Sequence, residues 1–180
     1  MFVPIGDSDV PRIVTLMNQA YRGSGSSANW TTEAAYISGD RTTESLLRAE
    51  LRAKPEASLL KWVDASNNTL LGCVWLEPLG GDTWYLGSLT AEMNRQNAGL
   101  GRMLLFAAED WVRDQGGLRV RITVVNVRDA LIAWYLRRGY HLTEETEPFP
   151  YGDDRFGTPL RPDLHFLVLE KSLATPGDGR

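Results

Sequence analysis

Apolar positions along the chain switch between two periods, and the switches predict the order of elements. Phe2, Val3, Pro4 and Ile5 form a short run that predicts a first strand, and Ile13, Leu16, Met17 and Ala20 then recur at helical spacing behind Asp9, a cap residue type. Residues 22–29 are rich in Gly and Ser and too poor in apolar groups to pack alone, which predicts a loop. Thr31 or Thr32 can cap a second helix through Tyr36 and Ile37, and Thr42 or Thr43 a third over 43–51. Runs at 58–63 and 69–76 flank the polar turn 64–68 as a hairpin, and 84–89 adds a strand, most simply as a meander. Leu100, Leu104, Leu105, Ala108, Trp111 and Val112 predict a helix from near Gly99 to before Gly116. An alternating β-branched strand at 118–125 and a helix at 129–138, stopped by Gly139, follow. Extended structure at 140–144, a Pro/Gly-rich connection over 148–162 and a last strand at 164–169 complete the order.

Helices inserted between strands in this order must cover the faces of one mixed sheet, an α/β (α+β) architecture. At 180 residues and 43% hydrophobic the chain can bury one sizeable core, so a single domain over 1–173 is expected, followed by a flexible C-terminal tail at 174–180. The net charge of -4 provides no basic field to collect nucleic acid or an anionic membrane and suits a basic substrate better. A basic stretch with an apolar signal core is missing from the first residues, and no run reaches spanning length, so a soluble, cytoplasmic protein without a membrane partner is expected. Cys73, the only cysteine, sits in an apolar run and reads as a buried structural thiol; His141 and His165 lie far apart, and nothing calls for a metal.

The segment of greatest chemical interest is Gln96, Asn97, Ala98, Gly99, Leu100, Gly101 and Arg102, between a strand and a helix. The first amide N–H groups of a helix have no carbonyl partner, and glycines there let an anion such as a diphosphate approach without a side chain in the way. Alternatively the two glycines only permit a tight turn and close packing of helix on sheet. The segment lacks both the Lys-Ser/Thr of a nucleotide P-loop and the three-glycine dinucleotide fingerprint.

A second segment runs from Asn126 through Ala130, Tyr135 and Gly139 to Tyr140. Together the two resemble the Gcn5-related N-acetyltransferase (GNAT) superfamily. Gln96, Gly99 and Gly101 match its acyl-CoA motif, Gln/Arg-x-x-Gly-x-Gly/Ala, and the later residues match its Asn, small, Tyr, Gly-aromatic pattern. The resemblance extends through the element order from Phe2 to about Leu173. It implies the acyl-CoA N-acyltransferase fold, with a central, mostly antiparallel sheet flanked by helices and splayed central strands that admit the pantetheine arm. It also implies acetyl-CoA as cofactor and transfer of its acetyl group to a primary amine, most simply on a small molecule, by direct attack in a ternary complex. A non-catalytic acyl-CoA-binding protein and a peptide or protein N-acetyltransferase are the alternatives, and a homodimer is compatible with the superfamily.

By the same resemblance, Leu89, Thr90 and Ala91 end the strand that presents backbone groups to the pantetheine and thioester. Ala91 replaces the usual valine and Met93 stands where proline is common. Residues 96–102 would hold the pyrophosphate, with Arg95 and Arg102 adding charge, and Arg137 or Arg138 would lie near the adenosine-side phosphate. Asn126 would contact the pantetheine side, or serve a local turn. Tyr135 would be the general acid, since amine attack on a thioester forms a tetrahedral anion whose collapse expels a thiolate; otherwise it packs with Leu131 and Trp134.

For the acceptor, Trp30, Glu33 and Tyr151 are the candidate substrate-binding residues, with Tyr36, Trp75 and Trp84 as further aromatics that the core can equally claim. Asp153 and Asp154 could attract a cationic amine. Glu33, Glu77, Asp82 and Glu92 are acidic groups from which a base could come, none with priority, and a water path would serve as well.

Overall fold

Alternation and helical spacing translate into nine strands and four α-helices among the residues that the computed structural model describes, 1–23, 32–92 and 99–174. In chain order these are β1 (Phe2–Pro4), α1 (Val10–Arg22), β2 (Ile37–Ser38), α2 (Glu44–Ala53), β3 (Ser58–Val63), β4 (Leu70–Gly80), β5 (Thr83–Ala91), α3 (Leu100–Asp114), β6 (Arg119–Val125), α4 (Asp129–Leu136), β7 (His141–Pro148), β8 (Thr158–Pro159) and β9 (His165–Ser172). Seven strands form one sheet in the order β1-β3-β4-β5-β6-β9-β7, antiparallel except between β5 and β6, while β2 and β8 pair separately. The mixed, mostly antiparallel sheet flanked by helices is the architecture the sequence implied. Among the described residues no helix is long and apolar enough to cross a membrane.

The two faces of the sheet are filled by different helices. Val10, Ile13, Leu16 and Met17 of α1 and Leu47 of α2 pack with Leu59, Cys73 and Trp75. Leu104, Leu105, Ala108 and Val112 of α3 pack with Val74, Leu76 and Leu86 in another cluster. Gly72 makes the close approach of α3 possible, since a Cβ there would lie 2.3 Å from Leu104 Cδ1 and 2.7 Å from the Thr90 carbonyl oxygen. Glu109, also on α3, is fully buried; it accepts from the Tyr140 hydroxyl at 3.1 Å and pairs with Lys171 at 2.7 Å, tying the helix to the far half of the sheet. Burial raises the Cys73 thiol pKa to about 12, in keeping with a structural role.

Two irregularities in β5 shape the centre of the molecule. Between Cys73↔Thr90 and Trp75↔Gly87 it carries one more residue than β4, a bulge at which Ser88 takes φ +48°. Its parallel ladder with β6 ends at Tyr85↔Arg121, although β5 continues to Ala91 and β6, still paired to β9, to Val125. The central strands therefore splay, as the family resemblance implied.

Several local expectations are corrected. The helix expected from Thr31 or Thr32 through Ile37 is instead a turn at 34–36 leading into β2, because Ile37 and Ser38 pair with Pro159 and Thr158. Thr32 directs its hydroxyl to the carbonyls of Tyr21 and Gly23. Asp9 does not cap α1; its carboxylate accepts from Gly6 N–H and Lys61. Thr43 is the cap of α2, accepting from Leu46 N–H at 3.3 Å. The expected loop at 22–29 lies almost wholly outside the described residues, as does nearly all of the expected tail.

Candidate active site

A cavity of about 350 Å³ opens where β5 leaves β6. Leu89, Thr90 and Ala91 of β5 line it, with Gly99, Gly101 and Arg102 at the start of α3, Arg128, Leu131, Trp134, Tyr135 and Arg138 on and around α4, and Ala20 and Tyr21 at the end of α1. The predicted site residues Leu89, Thr90, Ala91, Gly99, Gly101, Arg102, Tyr135 and Arg138 are thus brought together. Leu100, by contrast, is buried in the core behind the turn, and Gln96, Asn97 and Ala98, with Arg95, lie outside the described residues.

The start of α3 has the form an anion site needs. Gly99 precedes the helix with φ +77°, the left-handed region that favours glycine, and a Cβ built on it would meet nothing within 4 Å. Gly101 would bring a Cβ to 3.8 Å from Trp134, an ordinary contact, so both glycines leave open space beside the helix N-terminus. Arg138 lies with its guanidinium 3.6 Å from the centroid of the Trp134 ring and donates to the Trp134 carbonyl, while its buried Nε has no partner. Burial, then the charges of Arg137 and Arg102, lower the Arg138 pKa. The Arg102 and Arg138 guanidinium groups and the unsatisfied Arg138 N–H beside a helix N-terminus fit the phosphates of a CoA, and Leu89, Leu131 and Trp134 fit its less polar arm.

Tyr135 faces this cavity from α4, its ring edge-on to Trp134 and Tyr140 at centroid distances of 4.9 Å and 5.3 Å. Among the described residues its hydroxyl takes no hydrogen bond. Burial raises its pKa, so the phenol keeps its proton at neutral pH.

Ser88 lines a second cavity, also about 350 Å³, with Trp75, Glu77 and Tyr85, Arg121 and Thr123 of β6, Glu50 of α2 and Lys54 just after that helix. Ser88 and Leu89 are adjacent in the chain, so the bulge stands between the two cavities. Glu77 is committed to Lys54 at 2.7 Å and to the Trp75 indole N–H at 3.2 Å.

Other predicted residues have structural partners. Asn126 is not on either cavity; its amide donates to the Asp163 carbonyl and accepts from His165 N–H, both at 3.1 Å, so the local tie is the role its geometry supports. Glu33 is buried between Arg22 and Arg128, with Arg128 at 3.0 Å. The Tyr151 hydroxyl accepts from Leu164 N–H and donates to the Arg161 carbonyl, away from both cavities. Trp84 packs edge-on against Trp111, and burial raises the Tyr36 pKa to about 12. Asp153 caps a short turn and binds Arg155. The Asp82 backbone carbonyl accepts from Leu118 and Arg119 N–H at the opposite end of β5, and Trp30 lies outside the described residues. Sequence reasoning missed Tyr21 and Arg128 in the first cavity and Glu50, Tyr85 and Thr123 in the second; none belongs to a motif, and only packing brings them there.

The same architecture recurs in solved structures. The ribosomal-protein-S18-alanine N-acetyltransferase of Escherichia coli superposes with a TM-score of 0.68 at 14% identity, covering 100% of this chain and 97% of that one. Aminoglycoside 6'-acetyltransferase type Ii superposes at 0.63 with 17% identity, over 97% and 98% of the two chains. A GNAT family acetyltransferase from Elizabethkingia anophelis, with acetyl-CoA bound, superposes at 0.56 with 18% identity, over 73% and 84%. At these identities the likeness is one of fold. No curated protein matches the sequence. The model of the acetyltransferase (GNAT) family matches residues 17–140, a span that takes in the bulged strand, the glycine turn and Tyr135, and the chain accordingly belongs to that family.

Proposed function

We propose that this protein transfers the acetyl group of acetyl-CoA to a primary amine on a small molecule, by direct attack in a ternary complex. The carrying observation is the position of the β5 bulge between two cavities, one with phosphate-binding features and the other open to an acceptor. Bound acetyl-CoA would supply an activated thioester, from which an amide C–N bond forms as the C–S bond breaks and CoA leaves as the thiol.

The chain's own residues divide that work. Gly99, Gly101, Arg102 and Arg138 hold the phosphate end, and the wall at Leu89, Thr90 and Leu131 directs the arm inward. Tyr135 holds its proton at the phenol oxygen, where it would serve as the acid for a leaving thiolate. The Glu77 carboxylate is already bonded to Lys54 and Trp75, and the amine proton passes to water in the second cavity. The net charge of -4 supports an amine-bearing acceptor rather than nucleic acid.

The test is CoA binding by calorimetry together with acetyl-CoA-dependent thiol release over a panel of amines, with product mass measured. Saturable binding and a product heavier by one acetyl group support the reading. CoA binding without turnover on any amine would leave a non-catalytic acyl-CoA-binding protein, and a different mass increment would replace the donor.

A further inference from the structure

Most charged groups around the second cavity are matched inside the protein. Lys54 pairs with Glu77 at 2.7 Å, and Arg121 meets Glu145 at 2.5 Å, Glu170 at 3.4 Å and Glu147 at 3.7 Å. Arg41 and Glu50 are the exceptions. The Arg41 guanidinium lies 5.5 Å from the centroid of the Tyr21 ring and 5.6 Å from that of Phe156, and among the described residues it meets neither a carboxylate nor another acceptor. The Glu50 carboxylate likewise makes no ion pair or hydrogen bond among the described residues; Arg155, a cation that feels its charge, is bound to Asp153. Both side chains line the second cavity and an adjoining one of about 220 Å³ beside Phe156 and Phe166, yet they do not pair with each other.

We infer that the acceptor is an amine that also carries a carboxylate, an amino acid or a close relative, with Arg41 holding the carboxylate and Glu50 receiving the ammonium. This rests on the acetyl-transfer reading and deepens it. Rings lie beside the guanidinium, where they favour its charge, and its N–H fork remains available for two parallel bonds to one carboxylate. Asn18 steadies the strap that presents it, accepting from the backbone N–H of Arg41 at 2.7 Å and of Thr42 at 3.1 Å. Tyr21, one of the rings beside Arg41, also lines the first cavity, which places the clamp one side chain from the proposed thioester channel. Two unmatched charges of opposite sign on one cavity select a ligand carrying both. An amine without the carboxylate would cover Arg41 and leave it uncompensated.

The test titrates the full chain, saturated with CoA, with free amino acids and with the α-amides of the same amino acids. At least one free amino acid is expected to bind, with its amide weaker by roughly tenfold to a hundredfold, the range of a hydrogen bond to a charged group. Arg41→Gln should level acid and amide while leaving CoA affinity unchanged, and Arg41→Lys should restore part of the difference. Amides that bind as well as acids, or an Arg41→Gln variant that weakens both alike, would overturn the inference. Parallel assays separate it from the reading beneath it. Acetylation of amines with no preference for a carboxylate defeats the inference alone, Arg41-dependent binding without thiol release defeats the transfer reading alone, and absence of both defeats both.

Discussion

Tyr85 and Arg121 form the last rung of the parallel ladder between β5 and β6, and the molecule's central opening begins at that rung. Beyond it β6 stays with β9, while β5 stays with β4 through a bulge at Ser88. The Tyr85 hydroxyl meets Thr123 Oγ1 at 3.3 Å across the start of the gap. One strand pair thus supplies both the fold's only parallel contact among the described residues and the entrance to the proposed site.

Tyr135→Phe separates chemistry from packing. The ring stays in its contacts with Trp134 and Tyr140, and the deleted hydroxyl has no hydrogen bond among the described residues to lose. Melting temperature and CoA affinity should therefore change little. Turnover should fall by about a hundredfold or more, the usual contribution of a positioned acid. Steady-state kinetics at saturating acceptor decides it, and undiminished turnover would remove Tyr135 from the acid role.

Gly99→Ala tests the proposed phosphate-binding turn through the backbone. Open space surrounds the built Cβ, so the cost comes from φ +77°, about 1–2 kcal/mol for a side-chain-bearing residue. Relief by local rearrangement would misdirect the first N–H groups of α3. CoA affinity measured by calorimetry should drop roughly tenfold, by the same energy, with the core intact. Gly101→Ala, whose Cβ would meet only Trp134 at 3.8 Å, should affect stability less.

Glu109 offers a stability prediction away from the site. Glu109→Ala would leave Lys171, whose side chain is only 16% exposed, without its partner and the Tyr140 hydroxyl without its acceptor. Loss of one member of such a buried pair costs about 3–5 kcal/mol. Tyr140→Phe preserves the ion pair and should cost about 1–2 kcal/mol. Urea denaturation of the two variants should rank them in that order.

The parts of the site legible in sequence are those that need particular residue types at fixed spacing on one helix. Of the residues lining the candidate cavity, Gly99 and Gly101 at the head of α3 and Tyr135 on α4 are of that kind. The proposed acceptor side is assembled otherwise: Arg41 precedes α2, Glu50 lies on α2 and Ser88 on a bulge, and only tertiary packing sets them around one space. Tertiary pairing also explains the missed element at Ile37, whose partner Pro159 lies far along the chain and overrides the local helical pattern. Asn126 carries a family pattern, but its amide is claimed by the backbone of Asp163 and His165 at the entry to β9, a partner no local signal identifies.

Asp9 makes the fold sensitive to acid. Its carboxylate accepts from Lys61 Nζ at 2.7 Å and from Gly6 N–H at 2.8 Å, and these bonds hold its pKa below the ordinary carboxylate value, with the Lys61 bond the larger cause. A carboxyl whose pKa is lower in the folded than in the unfolded chain stabilises the fold above the unfolded value, and the contribution disappears as pH falls through the folded one. Wild type should therefore resist urea better than Asp9→Asn near neutrality, and the gap between their midpoints should close below about pH 4, where the unfolded carboxyl takes its proton. The closing gap reports the Asp9 carboxyl, the group that Asn replaces. A gap that persisted unchanged to lower pH would mean that Asp9 stabilises β1, α1 and β3 through packing rather than through its charge.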